Sequence, residues 1–285
     1  MTRVLVLGAS GTIGHMMFKV LSADSGYDVW ATVRSPALTQ HFAPAISSKI
    51  RAGIDARNLD VISRVVAELK PDVVINCIGL VKQLAFANDP LLVLPVNSML
   101  PHRLAHMCAL AGARLVHFST DCVFNGGRGS YVEADPLDAT DLYGQSKFIG
   151  EVTYPHTVTL RTSFIGHELE TSYELIEWFL QQEGRIKGFT GAIYTGLPTV
   201  VLARLVRDLV LPRSDLSGIY HVASMPISKY DLLSLVAKVY GKTIEIVPDG
   251  SVRIDRSLNG TKFKEATGYA APPWPSLIEA MHEYR

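Results

Sequence analysis

The sequence lacks charge imbalance, paired cysteines and long apolar runs. Lysine plus arginine number 27, and aspartate plus glutamate also number 27. A neutral total excludes both the basic excess that holds nucleic acid and an acidic solvating tail. The three cysteines, Cys77, Cys108 and Cys122, are too far apart for a CxxC pair. An odd, scattered set argues against a disulfide framework, and a reducing cytoplasm is the expected compartment. No uncharged apolar stretch is long enough to span a bilayer, so no membrane partner is expected. The run Val4–Leu7 stops at Gly8, too short for the core of a signal peptide. No metal is expected either. His102 and His106 have the i,i+4 spacing of helical ligands but lack the glutamate of HExxH.

Nearly half of the 285 residues are apolar, which supplies a sizeable core. Arg3–Leu7, Asp28–Val33, Asp72–Cys77 and Arg114–Ser119 read as strands. Thr12–Ala23, with Ile13, Met16, Met17, Val20 and Leu21 on one stripe, reads as a helix, as does Leu59–Leu69. Asn88–Ala111 reads as mostly helical, interrupted by Pro90, Pro95 and Pro101. The βαβα order predicts an α/β protein: a Rossmann-type, doubly wound parallel sheet with helices on both faces. Beyond residue 160, short strands (Val158–Arg161, Gly218–Val222, Ile244–Val247) alternate with helices near Tyr173–Gln182, Val200–Leu211, Lys229–Tyr240 and Trp274–His282.

Gly8-Ala9-Ser10-Gly11-Thr12-Ile13-Gly14 joins the first strand to the first helix. Such a junction uses glycine for the tight turn, for close approach to a pyrophosphate and for helix–strand packing. The helix start then offers free N–H groups to the phosphates. Gly8, Ser10, Gly11, Thr12, Ile13 and Gly14 are therefore expected to hold a dinucleotide. Arg34, just past the second strand, suits a 2′-phosphate, so NADP is favoured with NAD as the alternative. Asp55 and Ala56 are placed at the adenine. Residues 1–160 are read as an NAD(P)-binding Rossmann domain. Residues 161–285 are read as mainly a smaller C-terminal α/β substrate-binding portion, with some segments returning to the sheet.

Of eleven tyrosines, only Tyr143 has a lysine four places on, Lys147. On a helix near Asp141–Gly150 the two share a face. A nearby ammonium is expected to lower the tyrosine pKa, suiting it to protonate a ketone that receives hydride. Thr120 ends a strand aimed at the same place and supplies a second donor to the ketone oxygen.

These motifs together resemble the extended short-chain dehydrogenases/reductases, and within them the dTDP-4-dehydrorhamnose reductase-like group. The matching stretches are Gly8–Gly14, Asn76-Cys77-Ile78-Gly79, Asn97, Ser119-Thr120-Asp121-Cys122-Val123-Phe124-Asn125-Gly126 and Tyr143-Gly144-Gln145-Ser146-Lys147. Leu160-Arg161-Thr162-Ser163 and Gly218-Ile219-Tyr220-His221-Val222 extend the match. The resemblance implies an NADP-dependent reductase of a nucleotide-linked 4-keto-6-deoxy sugar, with Thr120, Tyr143 and Lys147 catalytic. It places Cys77, Ile78, Gly79, Leu80, Asn97, Thr162 and Ser163 around the cofactor. Cys122, Val123, Phe124, Trp178 and Lys187 are candidate substrate contacts, with Arg253 and Arg256 beside them. A homodimer is compatible with it.

Two alternatives remain open at this point. Related 4,6-dehydratases follow the threonine with Asp-Glu, whereas Cys122 holds the glutamate position here, which disfavours dehydration. The similar GDP-fucose synthase group has a cysteine at that position that epimerises carbons beside the ketone, with a histidine partner. Tyr173 falls where that histidine belongs, and His167 is nearby. The second alternative is a non-catalytic NADP-binding regulatory subunit, which the intact Thr120, Tyr143 and Lys147 disfavour.

Overall fold

Strand β1 (Thr2–Leu7) divides its side chains between two cores, as the two-residue period of a strand requires. Val4 and Val6 enter a cluster of 39 buried residues on one face, and Leu5 and Leu7 a cluster of 15 on the other. The computed structural model describes all 285 residues. In chain order the next strands are β2 (Tyr27–Thr32), β3 (Ile50–Arg51), β4 (Val73–Asn76), β5 (Arg114–Ser119), β6 (Thr157–Arg161), β7 (Phe164–Ile165) and β8 (Arg185–Tyr194). They are followed by β9 (Leu197–Pro198), β10 (Gly218–His221), β11 (Ile227–Ser228) and β12 (Glu245–Asp255).

Seven of these form one parallel sheet in the order β10-β6-β5-β4-β1-β2-β3. This is the doubly wound α/β architecture that the alternation predicts. The winding reverses between β1 and β4, where open sheets of this kind leave a crevice at the strand ends. An outer sheet has the order β11-β8-β12, and β7 pairs with β9. The strand β8 was not expected, and β12 runs well past the expected Ile244–Val247. No helix is long and apolar enough to cross a membrane.

The helix Thr12–Ser22 is buried nearly all round, not along one stripe. The cause is the helix Thr199–Leu205, which packs against it from the second half of the chain. The segment Pro90–Ala111 is helical throughout, and its three prolines do not end it. Pro90 sits in the first turn after Asp89, whose side chain accepts from the Leu91 N–H. Pro95 opens a widened turn, Pro95–Met99, and Pro101 lies in the first turn of Leu100–Ala111. Pro90, in a true first turn, forfeits no helical hydrogen bond, whereas Pro95 and Pro101 lie within the continuous helix and each removes one donor, beside the widened turn.

Phe18 is fully buried on the first helix and meets Phe42 edge-on, with 5.4 Å between ring centroids. Phe18→Ala is expected to destabilise the fold by about 3–5 kcal/mol. The check is a lower urea midpoint with an unchanged denaturant slope.

Candidate active site

Two of the three loop glycines are demanded by contact. Gly8 has φ +82°, and a Cβ there would strike Ile78. A Cβ on Gly14 would run into the Gly8 carbonyl, so the helix lies directly on the turn. Gly11 caps the helix, and Thr12, Ile13 and Gly14 form its first turn, where N–H groups lack partners within the helix. A cleft of about 510 Å³ runs from Gly8, Ser10 and Gly11 along the wall Cys77, Ile78, Gly79 and Leu80 to Asp55 and Ala56. Arg34 lines its far end together with Arg57, which the sequence reading missed. Arg57 grips Asp55 and pulls its carboxyl down to about 2. Glycines that leave room for nothing but hydrogen, an anion-binding helix start and two guanidiniums fit a dinucleotide phosphate.

Asn97 and Thr162 act behind this cleft, a correction to their expected contact with the cofactor. Asn97 lies in the widened turn Pro95–Met99. Its Oδ1 accepts from the Leu80 N–H at 2.8 Å, and its Nδ2 donates to the Leu80 carbonyl at 2.9 Å and to Ser146 Oγ at 3.1 Å. It therefore fixes the cleft wall. Thr162 is buried and donates to the Val222 carbonyl at 2.7 Å. Ser163 is half-buried beside it.

The helix Leu142–Ile149 carries Tyr143 and Lys147, and its cap Asp141 accepts from the Gly144 N–H at 2.7 Å. Gly144 rests on the Cys122 carbonyl and Gly150 on the Asn97 carbonyl, with no space for a Cβ at either. The helix is thus wedged between the turn Asp121–Val123 and the widened turn. Lys147 Nζ is buried and donates to the Phe118 carbonyl at 2.7 Å. Burial lowers its pKa to about 8, with Glu151 and then Cys77 opposing. Burial pushes the Tyr143 hydroxyl above its ordinary range, Cys122 adds to the rise and Thr120 opposes it. The expected lowering of Tyr143 by Lys147 is therefore not found, because the ammonium is turned to strand β5. Thr120 ends that strand. Its hydroxyl donates to Asp121 Oδ1 at 3.2 Å and accepts from the Cys122 N–H at 3.1 Å.

Cys122 stands beside this centre. Burial and then Asp121 push its thiol up to about 11, against Lys82 and Arg256. Arg256 approaches the sulfur with Nη1 at 3.7 Å and donates from Nε to the Phe124 carbonyl at 2.8 Å. Lys229, held down chiefly by burial and then by Lys82, belongs to the same group of cations. Neither lysine was anticipated, since each is a lone residue without a local motif. Glu174 was also missed: burial raises its carboxyl to about 7, with Thr12 opposing.

Two expected substrate contacts are corrected. Val123 and Phe124 are fully buried in a small core with Tyr131 and Leu258, and Phe124 stacks on Tyr131 at 4.1 Å. Lys187 lies on the outer sheet, paired with Asp249 at 3.0 Å. Trp178, Tyr173 and Arg253 are exposed. His167 is engaged on both ring nitrogens, Nδ1 by Glu177 Oε1 at 2.5 Å and Nε2 by the Tyr240 hydroxyl at 2.9 Å.

A thiol near 11 is about one part in ten thousand thiolate at pH 7. Native Cys122 is expected to resist iodoacetamide at pH 7 over a period in which the urea-unfolded chain is fully alkylated. Peptide mass spectrometry checks this.

The profile of the family described as the RmlD substrate binding domain matches residues 1–283. A dTDP-4-dehydrorhamnose reductase of Aggregatibacter actinomycetemcomitans is 25% identical over 100% of this chain and 99% of its own. The spore coat polysaccharide biosynthesis protein SpsK of Bacillus subtilis is 28% identical over 85% of this chain and 80% of its own. The crystal structure of dTDP-4-dehydrorhamnose reductase from Bacillus anthracis in complex with NADP shares the fold, with TM-score 0.82, 20% identity and full coverage of both chains. The chain belongs to the RmlD substrate binding domain family and is an oxidoreductase of the short-chain dehydrogenase/reductase type.

Proposed function

We propose that this chain reduces the ketone of a nucleotide-linked 4-keto-6-deoxy sugar, using NADPH, in the cytoplasm. One observation carries the proposal: the cleft and the Thr120–Tyr143–Lys147 centre meet. A Cβ on Gly79, in the cleft wall, would lie 3.9 Å from Lys147 Nζ. A reduced dinucleotide in the cleft supplies hydride. Tyr143 gives a proton to the ketone oxygen, and its raised pKa keeps that proton on the hydroxyl until it is needed. Thr120 gives the same oxygen a hydrogen bond. The Lys147 ammonium, one helical turn on, favours the phenolate that remains.

Arg34 and Arg57 favour a cofactor with a 2′-phosphate, in line with the NADP bound to the Bacillus anthracis relative. Lys82, Lys229 and Arg256 gather beside Cys122, where they suit a substrate diphosphate. The sugar class follows from the names of the relatives.

In the second reading Cys122 epimerises a carbon beside the ketone before reduction. The Arg256 contact at its sulfur favours this, and the high thiol pKa weighs against it. Solvent deuterium in the product beside the carbinol carbon supports epimerisation. Its absence, with full activity in Cys122→Ser, removes it.

Loss of NADPH absorbance with a dTDP-4-keto-6-deoxy sugar tests the main reading. No oxidation with any common nucleotide would overturn it. Tyr143→Phe is expected to lower kcat at least ~100-fold. The rate is expected to fall as pH rises through about 8, where Lys147 loses its charge. A pH–rate profile checks this.

A further inference from the structure

Just beyond the catalytic helix, Glu151 carries a carboxylate only 4% exposed. It takes three donors. Ser119 Oγ reaches Oε1 at 2.6 Å, Arg161 Nε reaches Oε1 at 2.8 Å and Arg161 Nη2 reaches Oε2 at 2.6 Å. One turn earlier, Lys147 Nζ holds the Phe118 carbonyl. The end of this helix therefore grips β5 at two successive residues, Phe118 and Ser119. The next residue is Thr120.

We propose that Glu151 is a positioning residue of the reaction, binding β5 to the catalytic helix so that Thr120 keeps its place relative to Tyr143 and Lys147. This rests on reading those three residues as the reacting centre. A surface helix cap would leave the strand free to shift. Here the link is buried and branched. Arg161 also donates from Nη1 to His221 Nε2 at 2.8 Å, and His221 Nδ1 donates to the Tyr131 carbonyl at 3.0 Å. One carboxylate thus ties the helix to β5, β6 and β10.

Glu151 also supplies charge. The titratable groups that face Lys147 are Cys77 after β4, His117 on β5 and Glu151 itself. Burial keeps the Cys77 thiol protonated and His117 neutral. Glu151 is the one anion among them, and the charged groups around it are Arg161 and Lys147. It holds the lysine proton on against burial. Arg161 alone needs a counterion, but it does not need that counterion to bind Ser119 or to face Lys147.

The test uses the full chain with lysine ε-carbons labelled with ¹³C, the Lys147 resonance being the one missing from Lys147→Arg. The wild-type midpoint is expected at about 8. Glu151→Gln is expected to lower it by about one pH unit. The alkaline limb of kcat should move with it, and kcat should fall about tenfold while KM for NADPH changes little. The double variant E151Q/R161Q removes both buried charges and serves if E151Q does not fold. It should regain thermal stability yet keep the lowered midpoint. A wild-type midpoint in the folded variants would overturn the proposal and leave Glu151 a structural counterion. If the chain turns over no ketone, the proposed function fails, while the Lys147 titration still decides on Glu151.

Discussion

Arg161 carries its guanidinium to a place only 1% exposed, and the site depends on how that charge is met. A buried charge without a partner is strongly destabilising, so the position of Glu151 is not free to vary. The carboxylate in turn fixes Ser119, and the remaining guanidinium nitrogen fixes His221. The stack of Phe124 under the guanidinium, at 5.3 Å from its ring, closes the other side. The strand ends of β5, β6 and β10 are thus joined by polar contacts as well as by the sheet ladder. The rigidity this provides lies next to Thr120 and the helix that carries Tyr143 and Lys147.

The two ends of the cleft are built by different means. At the phosphate end the backbone does the work, because Gly8 and Gly14 bring turn and helix together with no side chain between them. At the end that carries Tyr143 and Lys147, Gly144 and Gly150 let the helix sink between the turn Asp121–Val123 and the widened turn, and the side chains of Asn97 and Lys147 tie it there. Asn97 joins the two ends, since it holds Leu80 in the wall and Ser146 on the catalytic helix. Widened helical turns recur at functional positions, and Pro95–Met99 shows a reason: it aims one amide at both elements.

Much of this was legible in the sequence because it is written locally. The continuous apolar run Val4–Leu7, the glycine spacing and the four-residue step from Tyr143 to Lys147 each encode their own geometry. The strand β8 was not legible. It is half-exposed, with Gly188 and Gly191 in its run, so its alternation is blurred. Lys82 and Arg256 come from two loops and Lys229 from the start of the helix Lys229–Val239, and nothing in any one of them predicts the meeting. Phe124 was placed at the substrate because it lies four residues after Thr120. The tight turn Asp121–Val123 instead folds it back into the core. Likewise the phenol was expected to feel Lys147, and the carbonyl of Phe118 claimed the ammonium first.

The order of the segments along the chain has a kinetic side. Every residue lining the main cleft lies between Gly8 and Val96, and six of the seven main-sheet strands are complete by Arg161. The longest of their pairings, Val4 with Val73, spans 69 residues. In the outer sheet, Glu245 must find Arg185 across 60 residues. Long loop closure slows such pairings. As the chain leaves the ribosome, the half that fits the dinucleotide is made before the half that brings Lys229 and Arg256. The helix Thr12–Ser22 waits for Thr199–Leu205 to cover its outer face. The nascent protein thus passes through a stage with a finished phosphate cradle and an apolar helix still open to water, a stage at which cofactor and chaperone would both find something to hold.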